Sequence, residues 1–152
     1  MALKIGDQVP DLSLKDETGK EFNFRNADNK ALVVYFYPKN FTPGCTREAC
    51  GFRDSYEDFR ELGAEVIGVS SDSKESHSKF KIKHQLPFLL LSDFNKKARK
   101  AFGVRSNLLG LLPGRETFVF NKAGNLIFRF NSLNSSIHIE EAFIALRKSL
   151  QE

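Results

Sequence analysis

Residues 30–38 read KALVVYFYP. The run is nearly all apolar, rich in Val and Tyr, and closed by a proline. Side chains of a strand point alternately to the two faces of its sheet. A strand that is apolar at both odd and even positions therefore needs cover above and below, as a central strand of a layered α/β domain has.

The rest of the chain supplies that cover. A turn-like FTPGC (41–45) is followed by a helical pattern from about Thr46 to Leu62. GAEVIGVSSDS (63–73) reads as a second buried strand, SKESHSKFKIKH (73–84) as a helix and PFLLLSD (87–93) as a third strand. NKKARKAFGV (95–104) reads as a short helix with Gly103 near its end, and 115–130 as two strands around an NKAG turn. In the last segment Ile139, Ala142, Phe143, Leu146 and Leu150 recur at helical spacing. Ser136 is its expected N-cap, with Glu140 and Glu141 near the positive end and Arg147 and Lys148 near the negative end. Strands alternating with helices predict a mainly parallel sheet covered on both faces, to which the closing hairpin adds antiparallel strands. This is the layout of a thioredoxin-like α/β fold, a central mixed sheet with helices on both faces.

With 152 residues, 41% of them hydrophobic, the chain suits a single domain spanning 1–152 with a real core. The net charge of +4 is spread over runs such as KFKIKH (79–84) and NKKARK (95–100), which read as solvated helix faces. No dense basic stripe or recognisable module suggests a nucleic-acid partner. No apolar run approaches the roughly 18 residues of a membrane span. The opening MALKIGDQVPDL lacks the apolar stretch of a secretory signal and is too short and acidic for a transit peptide. The expected compartment is therefore a bacterial cytoplasm, or a plastid if a transit peptide has been removed. Two cysteines do not make a secreted disulfide scaffold, so a close pair is expected to be functional.

That pair is Cys45 and Cys50, in FTPGCTREACG (41–51). At about 100° per residue, Ala49, Phe52, Tyr56 and Phe59 fall within roughly 40° of the direction of Cys45, which places it at the first turn, facing the core. Cys50 points about 140° away, and residues i and i+5 of an intact helix are about 8 to 9 Å apart between Cα atoms. A disulfide needs less than about 7 Å, so the two cannot bridge unless the first turns unwind. A staple this short would also gain only about 2 kcal/mol before strain. A chemical role fits better. The thiolate is the reactive form of cysteine, and only about 3% of an unperturbed thiol is ionised at pH 7. Free backbone N–H groups and the positive dipole end at a helix N-terminus favour the thiolate. A peroxide converts a thiolate to a sulfenic acid, which a second thiol can trap as a disulfide. Thr42 adds a hydroxyl able to hydrogen-bond a peroxide oxygen, although a plain turn or cap role would suit it too. Pro38 and Pro43 stiffen and shield the approach.

Pro38, Thr42 and Cys45 spell P-x-x-x-T-x-x-C within YPKNFTPGCTREACGFRD. The chain here resembles the peroxiredoxins, specifically the bacterioferritin-comigratory-protein/PrxQ group. The resemblance runs through GDQVPDLSLKDETGK, AEVIGVSSDS, LPFLLLSD and LPGRETFVFNKAG, and is strongest to PrxQ of cyanobacteria and chloroplasts. It implies that Cys45 is the peroxidatic cysteine and Cys50 the resolving one, five residues on. It also implies that Arg115 is the active-site arginine that holds the peroxide and stabilises the thiolate, and that Glu48 gives hydrogen-bonding support. The activity implied is that of a monomeric, cofactor-free peroxidase acting on hydrogen peroxide or organic hydroperoxides. Its disulfide would be recycled by thioredoxin or a related dithiol reductant. His77, His84 and His138 carry no motif, and surface or capping roles are expected of them. No metal site is expected. Two rivals remain on sequence grounds. One is a redox sensor or interaction protein using the same disulfide switch. The other is a general disulfide oxidoreductase, which would want the absent CxxC.

Overall fold

The structure is a computed structural model and describes residues 3–105, 114–132 and 134–150. Its strands are β1 (Ser13–Asp16), β2 (Glu21–Asn23), β3 (Ala31–Phe36), β4 (Ala64–Ser70), β5 (Leu89–Ser92), β6 (Glu116–Phe120) and β7 (Leu126–Asn131). Its helices are α1 (Pro43–Asp54), α2 (Tyr56–Glu61), α3 (Lys74–His84), α4 (Lys97–Phe102) and α5 (Ser135–Ser149).

The strands form one sheet in the order β2-β1-β5-β4-β3-β6-β7, with β3 near its middle and all six of its residues buried. Its two faces separate with period two, as a strand must. Val33 and Tyr35 join Val66, Leu90 and Val119 beneath α1, α2, α3 and α5. Leu32, Val34 and Phe36 join Ile67, Val69, Leu91 and Phe118 beneath α4 and the N-terminal segment. The expectation of cover on both faces holds.

The expectation of a mainly parallel sheet does not. Among the described residues only β3–β4 and β4–β5 are parallel. The other four pairings, β1–β2, β1–β5, β3–β6 and β6–β7, are antiparallel. The difference lies mostly in the N-terminal hairpin, which escapes periodicity because its strands have only four and three residues. Its turn chemistry does mark it. The carboxylate of Asp16 accepts from the backbone N–H groups of Thr18 and Lys20, closing the DETGK turn. Burial would raise the Asp16 pKa, but the bonds from Thr18 and Lys20 and the charge of Lys81 outweigh it and hold it low.

Other boundaries also moved. The helix expected over 46–62 starts earlier, at Pro43, and steps at Ser55, which leaves helical geometry at ψ 2. The step keeps Tyr56 and Phe59 in the cluster that holds Phe52. Helix α5 begins at Ser135, so Ser136 lies inside it and is not the cap. Ile139, Ala142, Phe143 and Leu146 do pack inward, whereas Leu150 lies past the helix end and is exposed. Within NKKARK, Arg99 is buried and not solvated, because its guanidinium donates to the carbonyls of Gly114 (3.0 Å) and Tyr37 (2.9 Å). Gly103 closes α4 in the left-handed region, as expected. No helix among the described residues is long and apolar enough to cross a membrane.

One glycine sets how closely the layers approach. Gly68 in β4 lies opposite Tyr35 and Leu90, and a Cβ there would come within 2.9 Å of both side chains. The Tyr35 ring stacks on Phe52 of α1 at 4.5 Å. Gly68→Ala is therefore expected to overpack the floor under α1 and cost about 1–3 kcal/mol. Urea unfolding checks it; a midpoint equal to that of the parent chain would refute the account.

Candidate active site

The site forms where the C-terminal end of β3, the start of α1 and the start of β6 meet. Cys45 is the third residue of α1 and only 1% exposed, at the core-facing position that helical spacing predicts. Pro43 occupies the first helical position, where its fixed φ suits a helix start. It is exposed on the outer side of the turn that carries Cys45. The positive end of α1 and its unpaired N–H groups face the cysteine's turn.

Arg115, just before β6, reaches this turn from 70 residues away. Its Nη2 donates to Cys45 Sγ at 3.3 Å and its Nη1 to Glu48 Oε1 at 2.5 Å. All three side chains are buried. Gly44 eases the approach, since a Cβ there would stand a tight 3.1 Å from Nη2. Burial alone would lower the Arg115 pKa, but Glu48 and Cys45 outweigh it and raise it. Burial pushes the Glu48 carboxyl up to about 8, against the pull of Arg115. Its second oxygen has no hydrogen-bond partner and lies 3.7 Å from His138 Nδ1.

Thr42 is half-buried at the N-cap position of α1 in extended geometry, but its hydroxyl makes no cap bond and donates instead to the Lys39 carbonyl at 2.8 Å. Pro38 is half-buried at the start of the same loop. Between them Phe41 holds φ 67, a left-handed conformation that costs a non-glycine residue energy. Its ring stands edge-on to Phe80 of α3 at 5.1 Å, which helps to hold it there.

Cys50 does not join Cys45. Both thiols are free, and Cys50 is half-buried with its Sγ 3.8 Å from His84 Nδ1 at the end of α3. The resting helix thus keeps the pair apart, as the spacing predicts.

The expectation for the histidines fails at two of three positions. His77 and His138 are fully buried because each ring nitrogen meets a buried partner. His77 Nε2 faces the Leu91 carbonyl at 3.1 Å, so it carries the proton, and Nδ1 accepts from Asn40 Nδ2 at 3.0 Å. Asn40 also accepts from Tyr37 Oη and donates its backbone N–H to Asp72. This network pins the loop that carries Pro38 and Thr42. Burial holds the His77 pKa down, so the ring is neutral at pH 7. His138 is likewise neutral by burial, with Nε2 on the Ser132 carbonyl and Nδ1 on the Thr117 hydroxyl, each at 2.7 Å. Neither the Asn40 network nor the Arg99 bonds has a sequence motif; only the fold brings their members together. Leu112 and Pro113 of the LPGRETFVFNKAG stretch lie outside the described residues.

Comparison with known proteins places the chain in a family. The model of the AhpC/TSA family matches residues 5–129. A chloroplastic peroxiredoxin Q of Sedum lineare is 49% identical over 144 residues, covering 93% of this chain and 77% of that protein. One from Suaeda salsa is also 49% identical, over 90% of this chain and 64% of its own length. Peroxidoxin BcpB of Mycobacterium tuberculosis superposes with a TM-score of 0.87 at 35% identity, covering 96% of this chain and 97% of that one. Peroxiredoxin Q of Xanthomonas campestris gives 0.83 at 32% identity over 91% and 90%. These matches support thiol peroxidase chemistry, and the chain belongs to the AhpC/TSA family, grouping with its peroxiredoxin Q members.

Proposed function

We propose that this chain reduces hydrogen peroxide and organic hydroperoxides with Cys45 as nucleophile and Cys50 as resolving thiol. The observation that carries the reading is the guanidinium of Arg115 set 3.3 Å from a buried Cys45 Sγ at a helix N-terminus. The thiolate attacks the nearer oxygen of the O–O bond. A Cys45 S–O bond forms, the O–O bond breaks, and water or an alcohol leaves after taking a proton. Arg115 is placed to steady both the thiolate and the charge that builds on the oxygens. Thr42 already donates its proton to Lys39, so its oxygen lone pairs remain free to accept from a hydroperoxide O–H and orient it. Burial favours the neutral Glu48, which leaves the charge of Arg115 for the sulfur and the peroxide.

The sulfenic acid is then trapped by Cys50. The first turns of α1 must open for that, because the intact helix holds the thiols too far apart to bond. Thioredoxin or a related dithiol returns the disulfide to two thiols by exchange. The chloroplastic names of the curated relatives favour a plastid setting.

Cys45→Ser is expected to abolish thioredoxin-driven peroxide consumption; retained activity would end the proposal. Cys50→Ser should consume one equivalent of peroxide at the parent rate and then stall as a sulfenic acid, detectable by mass spectrometry. Arg115→Met should lower kcat/KM by about 10²–10³, the scale found when a transition-state donor is removed. Amide exchange over residues 43–51 should be slow in the reduced protein and fast in the oxidised one. Equal protection in the two states would rule out the unwinding step.

Glu48 also gives a pH signature. Its native carboxyl keeps a proton up to about pH 8, whereas an ordinary glutamate loses it near 4.5. The folded state therefore binds more protons than the unfolded one across that window, and stability falls as pH rises through it. Relative to Glu48→Gln, which cannot titrate, the parent Tm should fall between about pH 4.5 and 8 and hold steady below. A constant difference across the window would contradict the assignment.

A further inference from the structure

Cys50 faces away from the peroxidatic pocket and toward the end of α3. There its Sγ lies 3.8 Å from His84 Nδ1, within hydrogen-bonding reach for sulfur. The contact is held from two sides. Arg53, on the same helix as Cys50, donates through Nη1 to the His84 carbonyl at 2.8 Å and pairs through Nε with Asp54 at 3.0 Å. On α3 the Phe80 ring meets the imidazole edge-on at 5.0 Å. An imidazole clamped by its backbone and its ring plane has its free nitrogen aimed at one thiol.

We propose that His84 is the general base for the resolving step, taking the thiol proton of Cys50 so that its sulfur attacks as a thiolate. The assignment rests on the reading of Cys50 as the resolving cysteine. In the step, the Cys50 S–H bond breaks and its proton passes to His84 Nδ1. The Cys50 sulfur then attacks the Cys45 sulfenic sulfur, forming the S–S bond as the S–O bond breaks. The hydroxyl leaves as water with a proton from solvent, and His84 returns its own proton to solvent. The Cys50 sulfur is oxidised and the Cys45 sulfur reduced, so no external electron carrier is needed.

The surroundings suit a base. Lys83 on α3 and Arg53 on α1 are the charged groups that face the ring, with Cys50 the facing thiol. Burial first, and then those two cations, hold the His84 pKa below that of free histidine, so the ring is neutral at pH 7 and in its Nε2–H tautomer offers Nδ1 to the thiol as an acceptor. The guanidinium of Arg53 lies on the same side and steadies the sulfur anion once its proton has gone. His84 ends α3 and is not part of α1, so it keeps its place while the first turns of α1 open. The proton is therefore removed before Cys50 travels.

The test follows each chemical step in the full chain after one equivalent of hydrogen peroxide. His84→Gln should leave oxidation of Cys45 at the parent rate and slow formation of the Cys45–Cys50 disulfide about 10²-fold at pH 7. The lost rate should return as pH rises and hydroxide takes the proton instead. In His84→Ala, added imidazole should restore part of it. Disulfide formation at the parent rate in His84→Gln, while Cys50→Ser forms none, would overturn the base and leave Cys50 as resolver. Slowing that is equal at every pH and indifferent to imidazole would also overturn it, by reducing His84 to a packing contact. If the parent chain itself formed no Cys45–Cys50 disulfide, the role of Cys50 and this assignment would fall together.

Discussion

A buried guanidinium between a thiol and a carboxyl is the constraint that the rest of this molecule serves. Removing a charge from water is costly unless partners replace the lost hydration. Arg115 finds two, Cys45 and Glu48, one helical turn apart on the same face of α1. That spacing requires an intact helix from Pro43 onward, and the missing side chain at Gly44 eases the close approach. It also requires the entry to β6, which Arg115 immediately precedes, to lie at a fixed height. Arg99 helps to set it, by bonding the carbonyl of Gly114 with one nitrogen and that of Tyr37, next to Pro38, with another. Strand ends that never touch the thiol thus fix its geometry.

The proposed resolving step asks the same helix to give way, and its construction suits both demands. From Ala49 to Phe52 it is anchored in the core, with Phe52 stacked on Tyr35. Its first turn has no side-chain cap and follows a residue held in left-handed geometry. A helix end without a cap forgoes about 1 kcal/mol. The strain at Phe41 adds to what relaxation can recover. Helix α3 touches both halves of the device, holding Phe41 through Phe80 and Cys50 through His84.

Much of this was legible in the chain because it follows from periodicity. KALVVYFYP became a strand buried on both faces, and the stripe from Cys45 to Phe59 became the inner face of α1 and α2. The family motif named Arg115, but composition and spacing could not, since 70 residues separate it from Cys45. What escaped notice were short or non-periodic features. The hairpin of β1 and β2 is too short to show alternation, and the step at Ser55 interrupts an apolar stripe without breaking it. The buried histidines were misread for a different reason. A histidine is placed inside by the partners that satisfy its two nitrogens, and for His77 these are Asn40 and Leu91, distant in the chain.

The two buried arginines show why residue type alone does not give a role. Arg99 bonds neutral carbonyls, and burial lowers its pKa despite Asp93 and Cys45 nearby. Arg115 faces a thiol and a carboxyl, and the same burial is outweighed. Both remain cations at any ordinary pH, because guanidinium does not deprotonate in proteins. Their difference lies in where the charge is spent. Arg99 bonds two carbonyls through Nη1 and Nη2, while its buried Nε has no hydrogen-bond partner, so its work is to hold strand ends. Arg115 favours the anionic sulfur before attack, and in the proposed displacement the charge that leaves the sulfur passes to oxygens held beside the same guanidinium. A cation beside the atoms that would take up charge is placed to act on the reacting state, and one bonded to strand-end carbonyls is placed to hold the fold.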